Sequence, residues 1–248
     1  MPRDERSLQA RLTPAAVPPA IESGSLELLG LLPNSSNYTF LARASYGDDE
    51  ALAVYKPHRG ESPLWDFAEG SLGRREVAAY LVSKALGWPN VPPTVLRDGP
   101  EGPGSVQLFV PFDPGEHFFT LQERFSDAFR RIAAFDLIVN NADRKGGHCL
   151  LGEDGQVWAI DHGVCFHDEP KLRTVIWDFM GEPIPPVLVQ AIGAFGDALA
   201  AGRPPCDQLT GLLAEVEVAA FRRRIDAVVA TPRYPTPTGD RPYPWPPV

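Results

Sequence analysis

The chain has 248 residues, of which 44% are hydrophobic and 22% are charged, and its formal net charge is −9. This length and composition allow one sizeable domain, or one domain in two lobes, with a substantial buried core. The acidic balance argues against nucleic-acid binding, because such binding depends largely on clustered Lys and Arg that neutralise phosphates. No run of about 18 uncharged apolar residues occurs, so we expect no integral membrane association.

The beginning of the chain carries no apolar core of signal-peptide length, and residues 1–20 are polar and then rich in Pro and Ala. We interpret these residues as a loose N-terminal arm. The three cysteines, Cys149, Cys165 and Cys206, are odd in number and lack the spacing of a disulfide framework. Together these features predict a soluble protein in the cytoplasm, where thiols stay reduced.

Strand signals dominate residues 21–113. Apolar runs separated by polar or Gly-containing turns predict five strands, and a helical period that ends at Gly87 predicts one helix between the third and fourth strands. The expected strands are Ser25–Leu32, Tyr38–Ala44, Ala51–Lys56, Thr94–Arg97 and Ser105–Val110, and the expected helix is about Glu69–Leu86.

Helical patterns dominate residues 114–230, which open with a small hairpin after the first helix. The expected helices are Ser126–Val139, about 186–201 and about 206–229, and the expected hairpin strands are Cys149–Leu151 and Val157–Ile160. A β-rich half followed by a helical half predicts an α+β protein of two lobes. Ligands favour the clefts between such halves.

The tail, residues 231–248, contains seven prolines in eighteen residues and therefore cannot form a helix or a central strand. It is either an extended strap that lies on the fold or a disordered end. Tyr234, Tyr243 and Trp245 provide apolar surface that a strap would bury, and this slightly favours the strap.

One segment has the features of a catalytic loop. Residues 141–148 read Asn-Ala-Asp-Arg-Lys-Gly-Gly-His and join a buried helix end to an apolar strand, and the next strand leads into Asp161. Phosphoryl transfer needs one carboxylate that orients the attacking hydroxyl, a second that holds metal on the phosphates, and cations that neutralise charge. Asp143 and Asp161 can supply these carboxylates, and Lys145 can contact the γ-phosphate.

The spacing of Asp143, His148 and Asp161 resembles that of the catalytic Asp, the metal-binding Asn and the metal-binding Asp of the protein-kinase-like superfamily. The local sequence Asn141-Ala-Asp-Arg144 is similar to that of phosphatidylinositol 3/4-kinases and HipA-type kinases. The whole chain resembles an uncharacterised actinobacterial family distantly related to the phosphatidylinositol 3/4-kinases. The resemblance implies a two-lobed protein-kinase-like fold, with a β-rich N-lobe that holds one helix and a small, mostly helical C-lobe. It implies ATP and Mg²⁺ or Mn²⁺ as cofactors, Asp161 and His148 as metal ligands, and Asp143 and Lys145 as catalytic residues.

The N-terminal half agrees with this resemblance. Lys56, in Val-Tyr-Lys-Pro, resembles the lysine that contacts ATP in these families, and Glu76 on the following helix is expected to be its ion-pair partner. The resemblance also implies nucleotide contacts in two other places. The loop over the nucleotide would hold Ser35, Ser36 and Asn37, and the strand and hinge at adenine would hold Phe109, Val110 and Phe112.

Simpler interpretations compete with these assignments. Taken alone, an Asp-Arg pair such as Asp143-Arg144 is usually a surface salt bridge, and the run Arg222–Arg224 is explained by the preference of cations for helix C-termini. A structural zinc site is disfavoured, because the His and Cys residues lack tight pairs. His148 replaces the usual Asn, and imidazole suits softer metals than Mg²⁺.

The preferred hypothesis is an atypical ATP-dependent phosphotransferase that acts on a hydroxyl of an unknown protein or small-molecule acceptor. The alternatives are a nucleotide-binding pseudokinase that serves as a regulatory interaction module, and a metal-dependent ATP hydrolase. The unusual residue at His148 and the short helical half favour the pseudokinase over ordinary catalysis.

Overall fold

A five-stranded antiparallel sheet forms the N-lobe of the computed structural model, which describes residues 17–33, 37–237 and 241–248. The short helix α1 (Pro19–Ser23) precedes the sheet, whose spatial order is β1-β2-β3-β5-β4. The strands are β1 (Ser25–Leu31), β2 (Phe40–Tyr46), β3 (Asp49–Pro57), β4 (Thr94–Gly99) and β5 (Gly102–Leu108). All five predicted strands are thus confirmed, with ends displaced by at most three residues.

The strands alternate as the period of two requires, and this builds a small core of their own. Alternate residues of β2 and β3, Ala42, Ala44, Ala53 and Tyr55, are fully buried. They pack with Ile21 of α1 and with neighbouring apolar residues. The small alanines allow α1 to lie close to the sheet.

Helix α2 (Leu72–Leu86) lies between the sheet and the C-lobe, and most of its residues are buried. It ends as predicted, at Gly87, which is in the left-handed region and donates its N–H to Ser83. Its start differs from the expected Glu69, because Gly70 has φ +70° and cannot continue a right-handed helix. The helix therefore begins three residues later, at Leu72.

The C-lobe holds the remaining helices and a two-stranded hairpin. These elements are α3 (Phe118–Leu121), α4 (Ser126–Val139), β6 (Cys149–Leu151), β7 (Val157–Ala159), α5 (Pro186–Ala200), α6 (Leu209–Leu212) and α7 (Glu215–Ala230). Helix α4 and strand β6 have the predicted bounds. The α+β fold of two lobes is confirmed. No helix among the described residues is both long and apolar enough to cross a bilayer.

The prediction of one helix over 206–229 is wrong. A short 3₁₀ turn at Cys206–Gln208 leads into α6, and the chain is extended at Leu213 and Ala214 before α7 begins. Leu213 turns into the core, where it is buried. Glu217 accepts the N–H of Ala214 at 2.8 Å and so caps the start of α7.

The tail is a strap in its described parts, residues 231–237 and 241–248. Tyr234 is buried, its N–H donates to Glu182 at 3.0 Å, and its hydroxyl donates to the carbonyl of Arg130 at 2.8 Å. Further along, the carbonyl of Pro247 accepts the N–H of Gly146 at 2.7 Å, so the strap reaches the catalytic loop. Burial of all three aromatic residues was wrongly expected, because Tyr243 and Trp245 are exposed.

Candidate active site

A cleft of about 440 Å³ separates the sheet from the C-lobe, and it gathers residues that are far apart in sequence. Of the residues predicted to form the site, Asn37, Lys56, Phe109, Val110, Phe112, Asp143, Lys145, His148 and Asp161 line it. Ser35 and Ser36 lie outside the described residues. Glu76 lies behind Lys56 and lines a smaller adjoining cavity.

Lys56 is held at the centre of the cleft by two carboxylates. It lies near the end of β3, and its Nζ is 2.6 Å from Glu76 Oε1 and 3.1 Å from Asp161 Oδ1. Burial by itself lowers the pKa of Lys56, but the charges of Asp161 and Glu76 outweigh it and hold that pKa above its ordinary value. The side chain is therefore a fixed cation that joins the two lobes.

Glu76 is buried, with 3% of its surface exposed, although a Glu beside two arginines on a helix is commonly solvated. Its second carboxylate oxygen accepts the backbone N–H of His162 at 2.9 Å. Glu76 thus contacts both Lys56 and the segment that carries Asp161. Helix α2 is fixed to the C-lobe by a second link, since the neighbouring Arg75 donates to the carbonyl of Cys165 at 2.6 Å.

Asp161 follows β7 in an unusual backbone conformation. Its φ is +60°, in the left-handed region that non-glycine residues seldom adopt. Such strain persists where surrounding contacts hold it and is concentrated at functional sites. The charge of Lys56, with a smaller effect of His148, keeps the pKa of Asp161 well below its usual range. Asp161 is therefore a permanent anion in the cleft.

His148 and Asp161 converge on one point, because His148 Nε2 lies 3.2 Å from Asp161 Oδ2. Burial lowers the pKa of His148 to about 4, so the imidazole is neutral near pH 7. Its Nδ1 lies 3.0 Å from the carbonyl of Asp143, to which an Nδ1–H donates. With the proton on Nδ1, the carbonyl of Asp143 is the second-shell partner of the imidazole, and the Nε2 lone pair beside Asp161 is left to bind a metal.

These two side chains fit a metal that also binds phosphate oxygens. The described residues contain no group of three or more His, Cys, Asp or Glu side chains that could hold a metal ion by themselves. A nucleotide-bound Mg²⁺ or Mn²⁺ needs only one or two protein ligands, because phosphates and water complete its shell. The imidazole nitrogen favours Mn²⁺ over Mg²⁺.

Asp143 lies in the loop after α4, where its side chain is partly shielded from water. Its N–H donates to the side chain of Asn141 at 3.0 Å, and Lys145 Nζ lies 3.5 Å from its Oδ2. Burial raises the pKa of Asp143 to about 6, although the charge of Lys145 opposes the shift. A carboxylate with a pKa near 6 is better suited to accept a proton than an ordinary Asp.

The interpretation of Asp143-Arg144 as a surface pair is wrong for Arg144, which is fully buried. Its guanidinium forms a bidentate ion pair with Asp136 of α4, in which Nε donates to Oδ2 at 2.8 Å and Nη2 donates to Oδ1 at 2.9 Å. It also donates to the carbonyl of Ile160 at 2.8 Å and to that of His148 at 3.2 Å. Arg144 therefore joins α4, the catalytic loop and the strand end before Asp161.

Sequence reasoning missed this role of Arg144, although one signal pointed to it. Asp136 occurs on the apolar stripe of α4, among Phe129, Ile132 and other buried residues. A carboxylate on a buried helix face requires a cation or hydrogen-bond donors. Arg144, eight residues later, is a near candidate in the chain.

The far end of the cleft is apolar. Phe109, Val110 and Phe112 lie there together with Leu150 and Ile160. The N–H of Phe109 donates to Leu52 of β3 at 2.9 Å, whereas neither the N–H nor the carbonyl of Val110 has a hydrogen-bond partner among the described residues. A flat heteroaromatic ring can pack on this surface and bind that free backbone edge.

Comparison with known proteins relates the chain to lipid kinases. A family model described as phosphatidylinositol 3- and 4-kinase matches residues 71–192, a range that includes Glu76, Asp143, His148 and Asp161. Phosphatidylinositol 4-kinase gamma 4 of Oryza sativa subsp. japonica is 31% identical over 153 residues, which cover 51% of this chain and 26% of that protein. The chain therefore spans about a quarter of the rice protein.

A bacterial relative matches nearly the whole chain. Protein Rv2133c of Mycobacterium tuberculosis is 41% identical over 261 residues, which cover 91% of this chain and 93% of that protein. Among solved structures, the Helicobacter pylori proinflammatory kinase CtkA aligns with a TM-score of 0.48 and 11% identity, over 86% of this chain and 94% of that one.

Proposed function

The chain belongs to the family of Protein Rv2133c. From the match of residues 71–192 to phosphatidylinositol 3- and 4-kinases and from the geometry of the cleft, we propose that it is an atypical ATP-dependent phosphotransferase. The observation that carries the proposal is the convergence of five groups. Lys56 is paired with both Glu76 and Asp161, and His148 faces Asp161 beside the carboxylate of Asp143.

The apolar end of the cleft supports adenine binding. The ring would pack near Phe109 and Phe112, and the free N–H and carbonyl of Val110 would bind its polar edge. Lys56 would then contact the α- and β-phosphates, held in place by Glu76. We also propose that Asn37 covers the nucleotide. Asn37 lines the cleft, and its side-chain N–H groups are available to a ligand because they donate to no acceptor among the described residues.

In the transfer step the acceptor hydroxyl attacks the γ-phosphorus, and the bond between that phosphorus and the β–γ bridging oxygen breaks with its electron pair leaving on ADP. The hydroxyl proton passes to Asp143, whose raised pKa suits a proton acceptor. Lys145, close to Asp143, would offset charge on the transferring group. Asp161 and His148 would hold Mg²⁺ or Mn²⁺, which when bound neutralises charge on the phosphate oxygens.

The acceptor in this proposal is a hydroxyl group of a protein or of a small molecule. The proposed location is the cytoplasm, and the thiols of Cys149, Cys165 and Cys206 support a reducing compartment because all three are free. Cell fractionation tests the location separately from the chemistry.

A second candidate is a pseudokinase that binds nucleotide without transferring phosphate. His148 favours it, because a neutral imidazole replaces the amide oxygen that usually binds Mg²⁺ in kinases. The two candidates share the nucleotide site and differ in turnover. A metal-dependent ATP hydrolase would use the same carboxylates with water as the acceptor.

One set of assays separates these functions. ATP binding is measured by thermal shift with Mn²⁺ and with Mg²⁺, and label from the γ-phosphate is followed into panels of peptides and small hydroxylated compounds. Asp143→Ala should retain nucleotide binding and lose about 10²–10⁴-fold in transfer, whereas Asp226→Ala, an exposed acid on α7, is the matched control. Binding without turnover would identify a pseudokinase, release of free phosphate alone would identify a hydrolase, and absence of nucleotide binding would refute the assignment.

A further inference from the structure

A second concave region lies in the C-lobe and shares no lining residue with the cleft. This cavity, of about 790 Å³, is formed by the end of α4, the segment 168–173, helix α7 and the strap. We call it the basic cavity. Its apolar lining includes Leu137, Leu172 and Trp177.

The basic cavity concentrates positive charge in a chain whose net charge is −9. Five cationic side chains line it, and Asp168 is the one acidic side chain among its described lining residues. The cations are Lys171, Arg173, Arg223, Arg224 and Arg241. Lys171 pairs with Asp66 at 3.0 Å, whereas the four arginines have no carboxylate within salt-bridge distance in the described ranges.

The position of Arg223 and Arg224 differs from the sequence-based interpretation. They were attributed to a helix C-terminus, where cations compensate the helix dipole. Helix α7 continues to Ala230, so they lie in its middle, and compensation of the dipole of α7 does not apply to them.

Arg224 carries an unsatisfied donor at this cavity. Its Nε donates to the carbonyl of Ile138 at 2.8 Å and its Nη1 to that of His167 at 3.1 Å, but its Nη2 is buried without a hydrogen-bond partner among the described residues. Burial lowers the pKa of Arg224 to about 10, which leaves the group charged near pH 7. A buried charged donor without a partner is costly, and an anion reached by a shift of this side chain into the cavity would remove that cost.

We propose that the basic cavity is a binding site for a small ligand that carries phosphoryl groups. Guanidinium groups bind phosphate through paired, charge-assisted hydrogen bonds, and Arg173 of the segment 168–173 can supply them together with Arg223 and Arg224 of α7. The volume of the cavity is that of an ordinary small-molecule site. The apolar side chains beside the cations can contact the rest of the ligand.

The site does not depend on the phosphotransferase proposal, because none of its residues takes part in the cleft. It does have a route to the catalytic loop. The N–H of Arg173 donates to the carbonyl of Asn141 at 2.9 Å, and the side chain of Asn141 accepts the N–H of Asp143. Ligand bound at Arg173 therefore lies two hydrogen bonds from Asp143.

The test measures binding of inorganic phosphate, pyrophosphate and tripolyphosphate by calorimetry, with tryptophan fluorescence, to which Trp177 of the cavity contributes, as a second signal. Wild type is compared with the double variant Arg173→Gln/Arg223→Gln, because neither arginine side chain has a hydrogen-bond or ion-pair partner among the described residues. Arg203→Gln, exposed and outside the cavity, is the matched control for the loss of charge. Vesicles of phosphatidylcholine with and without phosphatidic acid distinguish a lipid phosphate from a free one.

We expect saturable binding that strengthens from phosphate to tripolyphosphate. The double variant should weaken it by about tenfold or more, which corresponds to about 1.4 kcal/mol, whereas Arg203→Gln should leave it within about twofold. Because polyphosphate can also enter the cleft, Lys56→Met is measured in parallel. Loss of binding in Lys56→Met but not in the double variant would overturn the proposal, as would no saturable binding to free phosphates or to phosphatidic acid vesicles.

Discussion

Replacing Arg144 by methionine removes the charge at the centre of the C-lobe while keeping a long side chain of similar reach. Asp136, which is fully buried, would keep a single side-chain donor, the amide of Asn141 at 2.9 Å. Breaking a buried ion pair at one partner costs about 3–5 kcal/mol, because the remaining charge is left without compensation. The carbonyl of Ile160 also loses its donor at 2.8 Å, which adds about 1 kcal/mol.

The expected loss for Arg144→Met is therefore about 4–6 kcal/mol, a large part of the roughly 5–15 kcal/mol by which domains are stable. Asp136→Asn should cost about 3–5 kcal/mol for the same reason, since it leaves Arg144 as an unpaired buried cation. The double variant removes both charges together. Its loss should fall short of the sum of the two single losses by at least about 2 kcal/mol.

Urea denaturation followed by tryptophan fluorescence measures these values, with five tryptophans as reporters. Arg43→Met, which removes an exposed ion pair with Glu27, is the matched control and should cost less than about 1 kcal/mol. The reasoning would be refuted if Arg144→Met cost less than about 1 kcal/mol, or if the single losses added within about 0.5 kcal/mol.

Four further results are expected. Lys56→Met should abolish detectable ATP binding in a thermal-shift assay because the cation between Glu76 and Asp161 is lost, and retained affinity would exclude phosphate contact by Lys56. His148→Asn should reduce a preference for Mn²⁺ over Mg²⁺, and an unchanged ratio would mean that His148 does not ligate metal. In urea denaturation, Tyr234→Ala should destabilise the fold by about 3–5 kcal/mol because the ring is buried, and Tyr234→Phe by about 1 kcal/mol because the hydroxyl donates to the carbonyl of Arg130. A loss under about 1 kcal/mol for the alanine variant would mean that the strap is not docked. Burial raises the pKa of Asp143 in the native state to about 6, so without metal the native state keeps this proton to higher pH than the unfolded state does. The free energy of unfolding should therefore fall as pH rises from the ordinary Asp pKa to about 6. Asp143→Asn should flatten that part of the pH profile of urea midpoints, and an unchanged profile would contradict the burial of Asp143.

Local sequence patterns were sufficient to predict most of the helices and strands. Helix α4 and strand β6 were predicted with their observed bounds, because a helical apolar period and a short apolar run depend on neighbouring residues alone. The same holds for the end of α2 at Gly87, where a left-handed residue terminates the helix. The single helix expected over 206–229 fails for a tertiary reason, since burial of Leu213 outweighs local helix propensity.

The sequence by itself determined most of the elements, their order and the set of polar residues that a phosphotransferase cleft would need. Only the tertiary structure decided which charges are buried and what they contact. Arg144 has the appearance of a surface residue in the sequence, and the four arginines of the basic cavity come from three separate segments. Local structure depends on neighbours along the chain, whereas the solvation and partners of a charge depend on elements brought together from distant positions.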